Sequence, residues 1–215
     1  MRDPLIALGT AIRLIFILLA APPVIADDPR MNAAEAATLP TWCLVFNQTG
    51  RLLPQDTKNP ELAAKLAAFQ RSGCSGHHHY CWALAWANRG YFRQESDRTP
   101  ADFYYGRGIA NLEYVLGNSQ STCSLIPEMH TKAGEWETLR GHPKEAEERF
   151  RKAIGIKPTH IQAYIGLCDL FESLGNNDSA IATLQIGIKA NPTSSALKKK
   201  LARLQARISG KTAAP

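Results

Sequence analysis

One stretch of the sequence gathers most of its potential chemistry: Cys74-Ser75-Gly76-His77-His78-His79-Tyr80-Cys81-Trp82. Imidazole and thiolate are the donors that zinc and copper prefer, so His77, His78 and His79 with Cys74 and Cys81 make a candidate metal or redox cluster. The spacing matches no standard zinc pattern. Neighbouring residues on a helix point about 100° apart, so at most two of the three histidines can reach one ion unaided. The Cys-x-x-Cys-His haem attachment pattern is absent. The other reading is structural, with the cysteines bridged and the histidines packing or capping the start of a helix. Both readings stand at this stage. No phosphate-binding Gly-rich loop, G-x-S-x-G elbow or H-E-x-x-H helix occurs, so no catalytic residue, enzyme activity or cofactor is assigned.

The fate of the cysteines depends on the compartment. Residues 1–13 carry Arg2 and Arg13, residues 14–21 (LIFILLAA) are an apolar core, and Pro22-Pro23 follows. Val24-Ile25-Ala26 then gives a small-x-small pattern before Asp27-Asp28. This order predicts a secretory signal over 1–26, cleaved after Ala26. The competing reading is an uncleaved anchor, but the apolar run is short for a bilayer span. A periplasmic or secreted protein is therefore expected, with no membrane span after cleavage. There, pairs among Cys43, Cys74, Cys81 and Cys123 are plausible, and four cysteines allow three connectivities. Cys74 and Cys81 are each expected to reach a distant partner, Cys43 or Cys123. Cys168 reads as a small buried hydrophobe.

The elements that position these residues are helical. Composition is that of a globular chain, 45% hydrophobic and 20% charged. The net charge of +6 tolerates acidic surfaces without demanding nucleic acid. Residues 27–58 lack a sustained period and read as an irregular segment, with TWCLVF at 41–46 a short extended piece. A divergent helical unit is expected over 59–124. Asn59-Pro60 opens its leading helix, with Leu62, Leu66 and Phe69 on one face and Gly73 at its end. A deeply buried helix follows over 78–92, then one from Thr99-Pro100 to about Gly117. Tyr80, Trp82, Trp86, Tyr91, Phe92, Phe103, Tyr104, Tyr105 and Tyr114 read as core between this pair, or as an aromatic groove for a peptide or glycan. Glu145, Glu147 and Glu148 with Arg149, Arg151 and Lys152 suggest surface ion pairs.

The most specific signal is an internal repeat. Gly134, Gly141, Ala146, Phe150, Ala153 and Pro158 recur as Cys168, Gly175, Ala180, Leu184, Gly187 and Pro192, at a constant offset of 34 residues. Small residues at three of these points let two antiparallel helices approach, a bulky one fills the gap, and Pro redirects the chain. The pattern resembles the tetratricopeptide repeat, covering two units within 125–192, with a capping helix and tail over 193–215. His130 and Glu137 stand where that family favours large aromatic residues, so the first unit departs from its consensus. The segment Gly76-His77-His78-His79-Tyr80-Cys81-Trp82 also resembles Gly-x-His-His-Tyr-Cys-Trp stretches in exported bacterial tetratricopeptide proteins of unassigned function.

The resemblance implies an all-α solenoid of antiparallel helix pairs. It also implies a partner-binding groove on the inner face of each first helix, lined by Glu128, Thr131, Glu135, Thr138, Gln162, Ile165, Asp169 and Glu172. That surface is acidic. It would repel an acidic tail and suit a protein partner with a basic segment. The expected function is an exported interaction scaffold of the cell envelope, with the Cys/His cluster as the metal or redox alternative. The basic face of the last helix, including Lys198, Lys199 and Lys200, is expected to be solvated.

Overall fold

A computed structural model describes residues 33–40, 43, 60–93 and 98–212. The signal layout over 1–26, most of the segment to 58, and the side chains of Leu62, Leu66 and Phe69 lie outside the described residues. Among the described residues every regular element is a helix: α1 (Ala33–Ala37), α2 (Pro60–Arg71), α3 (His77–Arg93), α4 (Arg98–Asn118), α5 (Ile126–Arg140), α6 (Pro143–Ile156), α7 (Ile161–Ser173), α8 (Asn177–Ala190) and α9 (Ser195–Thr212). None of them is long and apolar enough to cross a membrane. The chain pairs α3 with α4, α5 with α6 and α7 with α8, each hairpin packs on the next, and α9 closes the array against α8 and α7. This is the all-α array of helix pairs that the repeat predicts.

The two repeats turn in the same way. Gly141 and Gly175 both sit in the left-handed region, φ 82° and 72°, where a side chain would be strained. At each turn the next amide reaches back to the helix it leaves: His142 N–H to the Glu137 carbonyl and Asn176 N–H to the Phe171 carbonyl, both at 2.9 Å. Asn176 also caps α8, its side chain accepting from Ser179 N–H at 3.1 Å.

Packing follows the small and bulky pattern. Ala146, Ala153, Ala180, Leu184 and Cys168 are fully buried, and Phe150 nearly so. The Phe150 ring rests on two glycines. A Cβ at Gly134 would lie 2.8 Å from it, and one at Gly166 would lie closer still. In the next hairpin Tyr164 fills the same role over Gly187, where a Cβ would sit 2.8 Å from the ring. The α3–α4 pair closes likewise, Tyr105 over Gly90.

Two expectations need correction. The segment before residue 58 is not wholly irregular. It carries α1, docked on α3 by Glu35 accepting from Arg89 at 2.5 and 2.9 Å and by Asn88 donating to Thr38 at 2.8 Å. Cys43 N–H bonds to the Pro40 carbonyl at 2.7 Å, and the rest of the expected extended piece over 41–46 lies outside the described residues. The basic face of α9 is only partly solvated. Lys198 and Lys199 are exposed, whereas Lys200 and Arg207 pair with acids of α7. Of the α6 surface charges, Arg151 and Lys152 pair with Glu147 and Glu148 at 2.7 Å, but Arg149 reaches across to Glu113 on α4.

Phe150→Ala should cost about 3–5 kcal/mol by removing the ring that joins α5, α6 and α7. Gly166→Ala should cost about 1–3 kcal/mol by overpacking against the same ring. Urea unfolding monitored by helical circular dichroism checks both; losses under about 0.5 kcal/mol would contradict this packing.

Candidate functional site

The inner faces of α5 and α7 lie side by side, and five of the eight predicted groove residues meet there. Glu135, Thr138, Gln162, Ile165 and Asp169 line a single open hollow of about 270 Å³. Tyr91 from α3 and Leu139 from α5 supply further wall, and Phe150 and Gly166 complete it. The repeat did not point to Tyr91. Helix α3 starts at His77 and α5 at Ile126, well outside a 34-residue step, so the preceding hairpin has no matching register. Leu139, half-buried beside Thr138, was legible only as an apolar residue next to a groove position.

The remaining three positions are not part of the hollow. Thr131 is 3% exposed and donates to the Pro127 carbonyl at 2.9 Å, so it belongs to the helix and its packing rather than to a free groove. Glu128 accepts from the Tyr80 hydroxyl at 2.6 Å, tying α5 to α3, and has Lys132 at 3.9 Å. Glu172 accepts from Arg207 at 2.5 Å, has Lys200 at 3.5 Å, and accepts from the Cys168 thiol at 3.1 Å.

The groove is therefore less acidic than its residue types suggest. Lys200 pairs with Asp169 as well as Glu172, so the chain's own last helix neutralises the far end. Glu135 differs. No hydrogen bond or ion pair holds it among the described residues. Burial, with Glu128 and Asp169 adding, lifts its carboxyl above the usual carboxylate range against the opposing pull of Lys132. Glu137, which departs from the repeat consensus, is buried with its charge met by His142 Nδ1 at 2.8 Å and Arg140 at 3.2 Å. Arg140 also binds Asp102 of α4 at 2.8 Å. That network joins hairpins and does not face the hollow.

Both cysteines of the Cys/His stretch are bridged. Cys74 is bridged to Cys123 and Cys81 to Cys43, so neither offers a thiolate. Each of Cys74 and Cys81 takes a distant partner, and the bridges bracket α3 and α4. Cys168 is free and buried, its thiol pushed up to about 12 by burial and by the adjoining Glu172. His77, His78 and His79 open α3, and His79 is buried, its Nδ1 2.8 Å from Asn111 Oδ1 and its ring 3.9 Å from that of Tyr114. Trp82 packs edge-on against both His78 and His79. No group of three His, Cys, Asp or Glu among the described residues converges on a point where a metal ion would sit. The aromatic set divides between core and surface: Tyr80, Trp82, Trp86 and Tyr105 are buried, while Tyr91, Phe92, Phe103 and Tyr114 are exposed.

With this geometry in view, comparison with protein families finds the tetratricopeptide repeat over residues 138–204. Residues 138–204 thus carry the tetratricopeptide repeat, which is typically a non-enzymatic module for protein–protein interaction. No curated protein matches the chain.

Acid should loosen the fold through its histidines. Burial, reinforced by His79 and His77, pushes His78 down to about 4, and burial also pushes His130 to about 4. The folded chain keeps these rings neutral while the unfolded chain takes up protons below the ordinary value near 6.5. Stability is therefore intact above that value and falls as pH drops towards 4. Thermal melting across this window should show the decline, less steeply in His78→Gln; a flat profile would refute it.

Proposed function

We propose that this chain is an exported scaffold of the bacterial cell envelope that docks a partner protein's basic segment in the groove between α5 and α7. The hollow carries this reading: inner-face residues of two successive repeats line one open cavity that no described part of the chain fills. The unpaired Glu135 favours a cation there, and an acidic tail would meet repulsion. The export half of the proposal is supported by the signal layout at 1–26 and by two disulfides, which persist in oxidising compartments and are rare in the cytosol. With the cysteines bridged, the Cys/His stretch acts as a staple and packing unit for α3 and α4.

The test is affinity capture from envelope extracts with the full chain and the Glu135→Lys/Asp169→Lys variant. Capture should fall about tenfold or more with the variant, the effect of reversing charges at a contact; equal recovery would discard the acidic-groove reading. Titration of the unfolded, unreduced protein should find a single reactive thiol, Cys168. Further free thiols would reopen the metal or redox alternative at Cys74, His77, His78, His79 and Cys81.

A further inference from the structure

The hollow also states what kind of side chain it takes. At about 270 Å³ it has room for one long side chain. Its walls are of two kinds. Tyr91, Leu139 and Ile165 offer apolar surface on which a methylene stem can lie. Glu135, Thr138, Gln162 and Asp169 present oxygen acceptors. The Thr138 hydroxyl already donates to the Gly134 carbonyl at 2.8 Å, which leaves its oxygen free to accept.

The cations nearby are committed elsewhere. Lys200 of α9 pairs with Asp169 and Glu172, while Lys132 of α5 lies 3.9 Å from Glu128 and acts on Glu135 only through space. The Asp169–Lys200 pair is neutral as a unit, so Glu135 is the acid left to attract a ligand. Its half-buried position excludes much of the water that would screen an exposed pair.

We propose that the hollow is an anchor site for a single arginine of an extended partner segment, its guanidinium on Glu135 and its stem between Tyr91 and Ile165. This rests on the docking reading above and adds the residue that the groove selects. Arginine suits the site better than lysine for two reasons. Its planar fork can donate two parallel bonds to one carboxylate and further bonds to the Thr138 and Gln162 oxygens, whereas an ammonium acts as a point charge. It is also the more weakly hydrated cation, so burying it costs less, and the Tyr91 ring offers a face for stacking.

The experiment uses the full, disulfide-bonded chain labelled with ¹⁵N. The probe is the capped pentapeptide Ala-Ala-Arg-Ala-Ala, with citrulline and lysine versions as controls. The arginine peptide should shift amides around Glu135–Leu139 and Gln162–Asp169 and saturate. Citrulline has the same shape without the charge and should bind about tenfold more weakly, the factor that one charge-assisted hydrogen bond supplies; lysine should fall between. Glu135→Gln should lose a similar factor. So should Gln162→Lys, which places a cation at an exposed position on the rim and leaves the packed core untouched. Equal binding of citrulline, unchanged affinity in both variants, or no shift at the hollow would each overturn the arginine anchor. If capture from extracts still depends on the Glu135/Asp169 pair while the peptide fails, docking stands and the arginine assignment falls. If capture ignores that pair, the docking reading itself fails.

Discussion

The structure depends on one contact: an aromatic ring pressed against helix backbones that have no Cβ to hold it off. Phe150 of α6 touches Gly134 of α5 and Gly166 of α7 at once. Both neighbours approach more closely than alanine would permit, so a single ring sets the spacing within one hairpin and between it and the next. Tyr164 over Gly187 repeats the device one unit later. Close-packed interiors tolerate few voids, so this spacing propagates through the array instead of relaxing locally. The inner faces of α5 and α7 are held at a fixed separation as a result. The hollow between them is a consequence of backbone packing, and its lining side chains inherit their positions.

The N-terminal hairpin achieves the same rigidity by other means. It lacks the 34-residue register, and its helices are longer than those of the repeats that follow. Tyr105 over Gly90 provides one close approach. Two disulfides add covalent ties, one fixing Cys43 and the segment after α1 to α3, the other joining the entry of α3 to the loop after α4. Such links act largely by restricting the unfolded chain, and the long loops closed here favour that effect. The histidines sit between these ties, packed on Trp82 and Tyr114, and Asn111 satisfies the most buried of them. A stretch rich in metal-binding residue types is thus packed into a helix start.

Charge is distributed so that the last helix answers the last repeat. Lys200 and Arg207 of α9 meet Asp169 and Glu172 of α7, which would otherwise face the groove as open acids. A capping helix must cover the apolar edge of a solenoid while presenting a polar outer surface. Here it also removes most of the negative charge from one end of the inner face. The open acidity moves to Glu135, where the protein retains a poorly solvated carboxylate. Keeping such a group without a hydrogen-bonded partner is costly to the fold, and the proposed arginine anchor would supply that partner.

The helical class, the two repeat units and their internal packing were written in the sequence. They depend on side-chain size at fixed spacing, and Gly134, Ala146, Phe150, Gly175, Ala180 and Pro192 carry that information locally. The acidic types on the inner face were legible for the same reason. Which acids remain open was not. Asp169 meets Lys200 and Glu172 meets Arg207 across gaps of 31 and 35 residues, and Glu128 meets Tyr80 across 48. Such pairings depend on where whole helices come to rest, and no local period encodes them. The same holds for Tyr91, which reaches the hollow from a hairpin outside the repeat register, and for the choice among three disulfide pairings. Local spacing determined the elements; the close approach of their backbones decided which side chains face an empty space.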